Sequence, residues 1–443
     1  FIVLKKNSII GVLFLSASLS VQAFDLMEAL LAAQQHDAKY AAAQSANLAG
    51  QEAAQQGWAA ILPKVSLNAA YSQQEGVEPR QSNTNVGRYG VGLTQPLFDV
   101  GAYTNFKKGQ LGTRLADVVY SREQQQFIFS VSEAYFKVLL ADNTLATTLA
   151  AKKAYERELA FAKDAFDAGT ATIVDTYEAQ SGFDSAVAKQ ISGENQLAVA
   201  RNELQQLTGL NPDEITGLQQ EVHLINPEPN DVQVWIARAW QNSPVVANYA
   251  LQLAAAEQDT LAAKGQFLPT IAATGNYDAS RSEDRNVSAN GINDTRGNSI
   301  GVTLSMPLFA GGGIRSGLRE ALAKEEQAKF LLEASRREAQ IQVTAAFLAM
   351  TNGGALVKAN QRLVQSAKSK LEATTLGRDV GVRTSLDLLN AERGYYEAKQ
   401  ALADTIYVYL KAKLNLYQQV GGLDKTVLQE MNAYFIKPAT LKK

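Results

Sequence analysis

The sequence predicts a mixed fold. Long α-helical hairpins make up most of the chain, and two β-hairpins supply four strands to a transmembrane β-barrel shared between copies. Three observations carry this reading. The helix-breaking stretch Gly381-Val382-Arg383-Thr384-Ser385-Leu386-Asp387 has an earlier counterpart, Gly169-Thr170-Ala171-Thr172-Ile173-Val174-Asp175, and both the glycines and the aspartates stand 212 positions apart. That interval is too long for a solenoid repeat, so the chain reads as one unit written twice. Each unit holds two short runs in which apolar residues fall on alternate positions, the period of a half-buried strand. Each also holds a helical run of roughly 64 residues, about 95 Å long, which no compact globule requires.

Residues 1–23 read as an export signal. Lys5 and Lys6 precede an apolar stretch from Ile9 to Leu19, and Val21-Gln22-Ala23 offers a small-x-small cleavage site. The mature chain is expected to begin at Phe24. Beyond it no window holds 18 apolar residues, so no membrane-spanning helix is expected.

The first repeat is assigned to 24–212. Asp25 to about Ala60 is rich in Ala and Gln without internal proline, and predicts a helix, bent if anything, that Pro63 stops. Lys64 to Tyr71 alternates, a polar loop from about Ser72 to Gly87 follows, and Tyr89 to Gln95 alternates again, which predicts a β-hairpin over 64–98. A long helix from about Tyr103 to Asp167 takes Ile128, Val131, Tyr135, Val138, Leu145 and Leu149 as its apolar stripe. Its tip lies at 168–175, and a return helix runs to about Leu207. Pro212, Pro227 and Pro229 mark an irregular connector at 213–230.

The plan restarts at 231–422. A helix to Gly265 is interrupted at Pro244; a second hairpin covers 270–309 around a polar loop from Ser280 to Asn298. A long helix from about Ile314 to Leu376 leads to a tip at 377–387. The return helix carries Ala398, Leu402, Ile406, Leu410 and Leu414. At the tips, Gly169 and Gly381 suit the left-handed residue that closes a helix, and Thr384 or Ser385 suits the next N-cap. Residues 423–443 are expected to form a tail that is peripheral or disordered.

The strand pattern points to a bilayer. Val65, Leu67, Val91, Leu93, Ile271, Val302 and Leu304 form the outward set; Ser66, Asn68, Gly92, Thr94, Thr303 and Ser305 form the inward set. Apolar outside and polar inside is the membrane-barrel pattern, and strands of about nine or ten residues suffice to cross. Tyr71, Tyr89, Tyr277, Phe98 and Phe309 fit an aromatic girdle. Four strands cannot close, and open edges cannot face lipid, so several copies must share one barrel.

Composition excludes much else. The formal net charge is −2 and there is no cysteine, so nucleic-acid binding by a basic field, disulfides, zinc-thiolate sites and a cysteine-linked lipid are not expected. His36 and His223 stand apart from any cluster and read as ordinary packed or solvated side chains. No nucleotide loop, His-Glu-x-x-His or triad is present. Gly311-Gly312-Gly313 lacks the Lys-Ser or Lys-Thr of a phosphate loop and reads as a swivel between strand and helix. Neither an enzyme nor a cofactor is expected. The competing reading is an exported coiled-coil or filament protein without channel activity.

In this order the residues resemble the TolC-like outer-membrane channel proteins of Gram-negative bacteria. The resemblance spans the mature chain: Leu62-Pro63 and Leu268-Pro269 before each hairpin, Pro96-Leu97-Phe98 and Pro307-Leu308-Phe309 after it, and Gly381 to Leu389 at the tip. The missing lipid-bearing cysteine favours the unlipidated TolC branch. The resemblance implies a homotrimer with one shared barrel in outer-membrane lipid and a helical tunnel across the periplasm. It implies a periplasmic adaptor (membrane fusion) protein and an inner-membrane ABC or RND pump as partners, for type I protein secretion or multidrug efflux. Asp387 matches an acidic ring at the periplasmic aperture; a second family aspartate is Asn390 here, which implies a weaker ring. Asp175 and Arg383 match residues that hold neighbouring hairpins in the closed state, and a tyrosine of that lock is Arg378 here. Arg378 and Arg383 are therefore expected to bond Asp175. Pro63, Pro96, Pro269 and Pro307 stand where barrel becomes tunnel.

Overall fold

The computed structural model describes residues 24–75, 83–213, 215–218, 226–284 and 292–435. The expected export signal, the centres of both hairpin loops, His223 and the last eight positions of the tail lie outside them. Nine helices and four strands occur among the described residues, in two similar series. The first runs α1 (Leu26–His36), α2 (Ala38–Trp58), β1 (Lys64–Glu75), β2 (Asn83–Phe98), α3 (Val100–Asp167) and α4 (Ile173–Thr208). The second runs α5 (Val232–Asn242), α6 (Pro244–Gly265), β3 (Thr270–Asp284), β4 (Ile292–Ser305), α7 (Gly313–Asp379) and α8 (Ser385–Gln419), and α9 (Lys425–Asn432) closes the chain. None of these helices is long and apolar enough to cross a membrane.

The strands form one antiparallel sheet in the order β1-β2-β3-β4, with β1 and β4 at its edges. Its register sorts the side chains. Val65 stands opposite Leu93, Leu67 opposite Val91, Val91 opposite Tyr277, and Ile271 opposite Leu304. Ser66 stands opposite Gly92, Asn68 opposite Gly90, and Thr94 opposite Thr274. Side chains alternate along a strand, so the first set shares one face and the second the other. Ile300, Val302, Leu67 and Val65 are all exposed, an apolar face with no protein over it within the chain. The strands are longer than expected, at 12, 16, 15 and 14 residues. The polar segments assigned to loops continue the ladder, as in Ser72 opposite Val86 and Ser280 opposite Thr295. Pairing there rests on backbone hydrogen bonds, which leave no alternating apolar signature.

α3 and α7 are 68 and 67 residues long, about 100 Å each. α4 packs on α3, α8 on α7, and α8 crosses to α3, so the two hairpins form one bundle. The main core sits at mid-height, where Leu26 and Leu30 meet Ile128, Val131, Tyr135, Leu204, Trp235, Met350 and Leu410. Buried Tyr135 donates its hydroxyl to the carbonyl of Thr216 at 2.8 Å, and bridges join Phe24 to Ile215 and Leu218 to Phe435. Part of the connector is thereby fixed to the core.

Three expectations need correction. The first helix is two: Asp37 ends α1 and its carboxylate accepts from the Tyr40 N–H at 2.9 Å to start α2. Leu149 leaves the apolar stripe of α3 and is exposed, while Ile128, Val131, Tyr135 and Val138 are buried as expected. The tail is not peripheral up to Phe435. Val427, Leu428 and Met431 are buried because α9 presents one apolar stripe to the core, and Tyr434 and Phe435 are buried just beyond its end.

Candidate functional site: the hairpin tips and the charge buried beside them

The two tips share one backbone hydrogen-bond pattern. Gly169 adopts φ +74° and Gly381 φ +78°, the left-handed region that glycine enters without strain. In the first, the Gly169 N–H donates to the Phe166 carbonyl and the Thr170 N–H to that of Ala165, at 2.9 and 2.8 Å. In the second, Gly381 donates to Arg378 and Val382 to Gly377, both at 2.9 Å. Thr172 and Thr384 cap the outgoing helices, and each forms a capping box with the aspartate three residues on. The Asp175 carboxylate accepts from the Thr172 N–H at 2.8 Å; the Asp387 carboxylate accepts from the Thr384 N–H at 3.1 Å. These backbone donors hold both carboxyls below the usual aspartate value, so both stay ionised at neutral pH. The Thr-x-x-Asp spacing was visible in the sequence as a helix-start signal.

The expected lock is not assembled within one chain. No ion pair joins Asp175 to Arg378 or to Arg383 among the described residues. Arg378 turns instead to α3. Its guanidinium Nη1 donates to the Glu158 carboxylate at 2.6 Å, its Nη2 reaches Asp379 at 3.0 Å, and the plane lies 4.7 Å from the Phe161 ring. The Glu158 side chain is only 4% exposed and that of Arg378 20%, so this is a buried ion pair between α3 and α7. Arg383 folds its stem over Gly377, where an added Cβ would stand 2.7 Å from the Arg383 Cγ. Asn390 is exposed one turn beyond Asp387.

A second carboxyl enters this cluster from α8. Burial, then the charge of Glu158, pushes Glu392 up to about 7. Glu158 Oε1 and Glu392 Oε2 are both buried without a hydrogen-bond donor. Neither glutamate was singled out from sequence, though a signal existed: Glu158 interrupts the buried stripe Ala151, Ala154, Ala162. Just above, α8 is stitched to α3 by the Tyr396 hydroxyl donating to the Ala150 carbonyl at 3.2 Å and Gln400 donating to Thr144 at 2.8 Å.

At the opposite end of the helices the four prolines mark the junctions. Pro63 and Pro269 directly precede β1 and β3, Pro96 lies at a register shift near the end of β2, and Pro307 follows β4. Gly311 and Gly312, at φ +59° and +84°, make the turn from β4 into α7.

Comparison with known proteins agrees with this geometry. The sequence pattern of the outer membrane efflux protein family matches residues 21–210 and 235–422, one segment per repeat. The chain is 31% identical over 431 residues to the outer membrane protein TolC of Vibrio cholerae, covering 95% of this chain and 97% of that one. It is 30% identical over 433 residues to the alkaline protease secretion protein AprF of Pseudomonas aeruginosa, covering 94% and 89%. In fold it resembles the CmeC outer membrane channel of Campylobacter jejuni, with a TM-score of 0.78 at 16% identity over 92% of this chain and 89% of that one.

Proposed function

The chain belongs to the outer membrane efflux protein family, and from that premise we propose that three copies assemble into one channel-tunnel. It is an outer-membrane exit duct, not an enzyme, and serves type I protein secretion, multidrug efflux or both. A periplasmic adaptor and an inner-membrane ABC or RND pump open it at the tips. The observation that carries the reading is the sorted sheet: one apolar face, one polar face, and unpaired edges on β1 and β4. Such edges leave N–H and C=O groups that lipid cannot satisfy, so β4 of one copy pairs with β1 of the next until the ring closes. A relative named for alkaline protease secretion supports protein cargo, and another named as an outer membrane efflux protein supports small molecules.

The tips are the gate. Arg378 and Glu158 hold α7 against α3 inside each copy. Asp175 and Arg383, which do not meet within the chain, are the groups that reach across to the neighbouring hairpin, where an arginine–carboxylate bond is charge-assisted. Asp387 supplies one carboxylate per copy to the aperture, and Asn390 leaves the ring weaker in charge, so cations are drawn in and bound less firmly than by two such rings. Gly169 and Gly381 set the hairpin turns, and the four prolines end helix or strand where barrel becomes tunnel.

Unheated electrophoresis in mild detergent and conductance across planar bilayers test the duct. A heat-sensitive oligomer that conducts ions is expected; a filament or a water-soluble monomer without conductance would overturn it. Deleting the gene and scoring both protein secretion and drug sensitivity assigns the cargo.

A further inference from the structure

We propose that Glu392 is held protonated where it packs beside the Glu158–Arg378 pair, and that loss of this proton loosens α8 from α3, so that the tips are tighter in acid and open more readily above neutral pH. This rests on reading the tips as the gate. The geometry points to the proton. Leu159 of α3 and Leu389 of α8 share one buried cluster, which brings neighbouring Glu158 and, one turn on, Glu392 to the same helix interface, and among the described residues Arg378 of α7 is ion-paired there through Glu158 Oε2. Each carboxyl keeps one buried oxygen without a donor. One arginine offsets one carboxylate; a second carboxylate there would be uncompensated, which burial strongly penalises. A proton on Glu392 removes that charge.

The surrounding charges do not replace it. From α3, Arg157 also acts on Glu392, but more weakly than burial and Glu158 together. Tyr155 of α3 and Tyr396 of α8 are themselves held protonated by burial, and Arg393 bonds Tyr155. Asp379 of α7 spends its carboxylate on Arg378. From α4, Ala179 and Phe183 pack in the same cluster as Leu389. Glu392 accordingly retains its proton up to about 7, so it changes state across the neutral range, whereas Asp175 and Asp387 at the tips stay ionised throughout it.

The sign follows from linkage. Glu392 holds more protons when packed than when the contact is open, so raising pH through about 7 favours the open form. One proton limits the effect to about tenfold in the open-to-closed ratio per pH unit. Purified native protein and Glu392→Gln are compared by infrared titration of protonated carboxyls and by bilayer conductance from pH 5 to pH 9. The native protein is expected to lose a protonated-carboxyl band and gain conductance across the neutral range. Glu392→Gln, which keeps the size and donates from its amide, is expected to lack that band and to stay tight throughout. The same band in Glu392→Gln, or an unchanged pH profile, would overturn the proposal. If the protein forms no pore, the gate reading fails, while the infrared titration still decides whether the proton is there.

Discussion

At the scale of single residues, the tip separates charges that cap from charges that clamp. Asp175 and Asp387 do local work first, because the backbone N–H of the preceding threonine cap occupies each carboxylate. That allows helix start and pore charge to be tested apart. Asp387→Asn keeps an oxygen that accepts from Thr384 and removes the charge; Asp387→Ala removes both. Both variants should reduce cation affinity at the aperture in bilayer recordings. Only the alanine variant should also cost the start of α8 about 1 kcal/mol, seen as faster amide exchange there. Arg378 is a clamp. Replacing it with Gln leaves Glu158 buried and unpaired, which costs roughly 3 kcal/mol because Arg378 retains some contact with solvent. The double change Arg378→Gln with Glu158→Gln should recover much of that loss. Thermal melting of the helical signal checks this, and equal losses in the single and double variants would contradict a buried pair.

At the scale of elements, α2 packs tightly against α3 next to the sheet. A Cβ added at Gly109 would stand 2.5 Å from the Ala53 carbonyl oxygen and 2.7 Å from the Gly57 Cα. Those are backbone atoms, which cannot swing aside as a long side chain can. Gly109→Leu must push α2 off α3 and disturb the adjacent Trp58–Phe106 ring contact. The expected cost is about 2–3 kcal/mol, read as a lower yield of heat-sensitive oligomer; Gly317→Leu, where the space is open, should cost far less. Much of this element plan was legible. Glycine, threonine and proline fixed the tips and the strand ends, and apolar alternation found the membrane-facing part of each strand. What stayed hidden was set by contacts rather than period. The polar halves of the hairpins extend by backbone pairing, α1 and α2 part at an aspartate that caps, and Val427 to Phe435 carry a stripe too short to stand out. The tip cluster was hidden for a related reason: Arg157-Glu158 looks like a solvated helix face, and Arg378 is expected to face Asp175, until α3, α7 and α8 are brought together.

At the scale of the whole molecule, the long helices and the sheet impose opposite demands that one assembly meets. The bundle has its own core at mid-height and stands as a unit. The sheet has no such support, since one face is apolar and exposed and two edges are unpaired. In the proposed channel its stability comes from lipid on the apolar face and from other copies at the edges. Neighbouring positions on the edge strand β4 then have opposite tolerances. Val302 pairs with Ala273 on the apolar face, and Thr303 pairs with Ala272 on the polar one. Val302→Arg sets a guanidinium against hydrocarbon and should cost about 2–4 kcal/mol per copy near the bilayer centre. It should abolish the heat-sensitive oligomer and the conductance together. Thr303→Arg faces the lumen, so the oligomer should persist and conductance should shift toward anions as each copy adds a positive charge to the pore. Because the substituted positions are adjacent, strand propensity and proximity to the edge are nearly the same for both, and only the face differs. Equal tolerance of the two arginines would mean that the sheet does not separate lipid from water, and the membrane barrel would have to be abandoned.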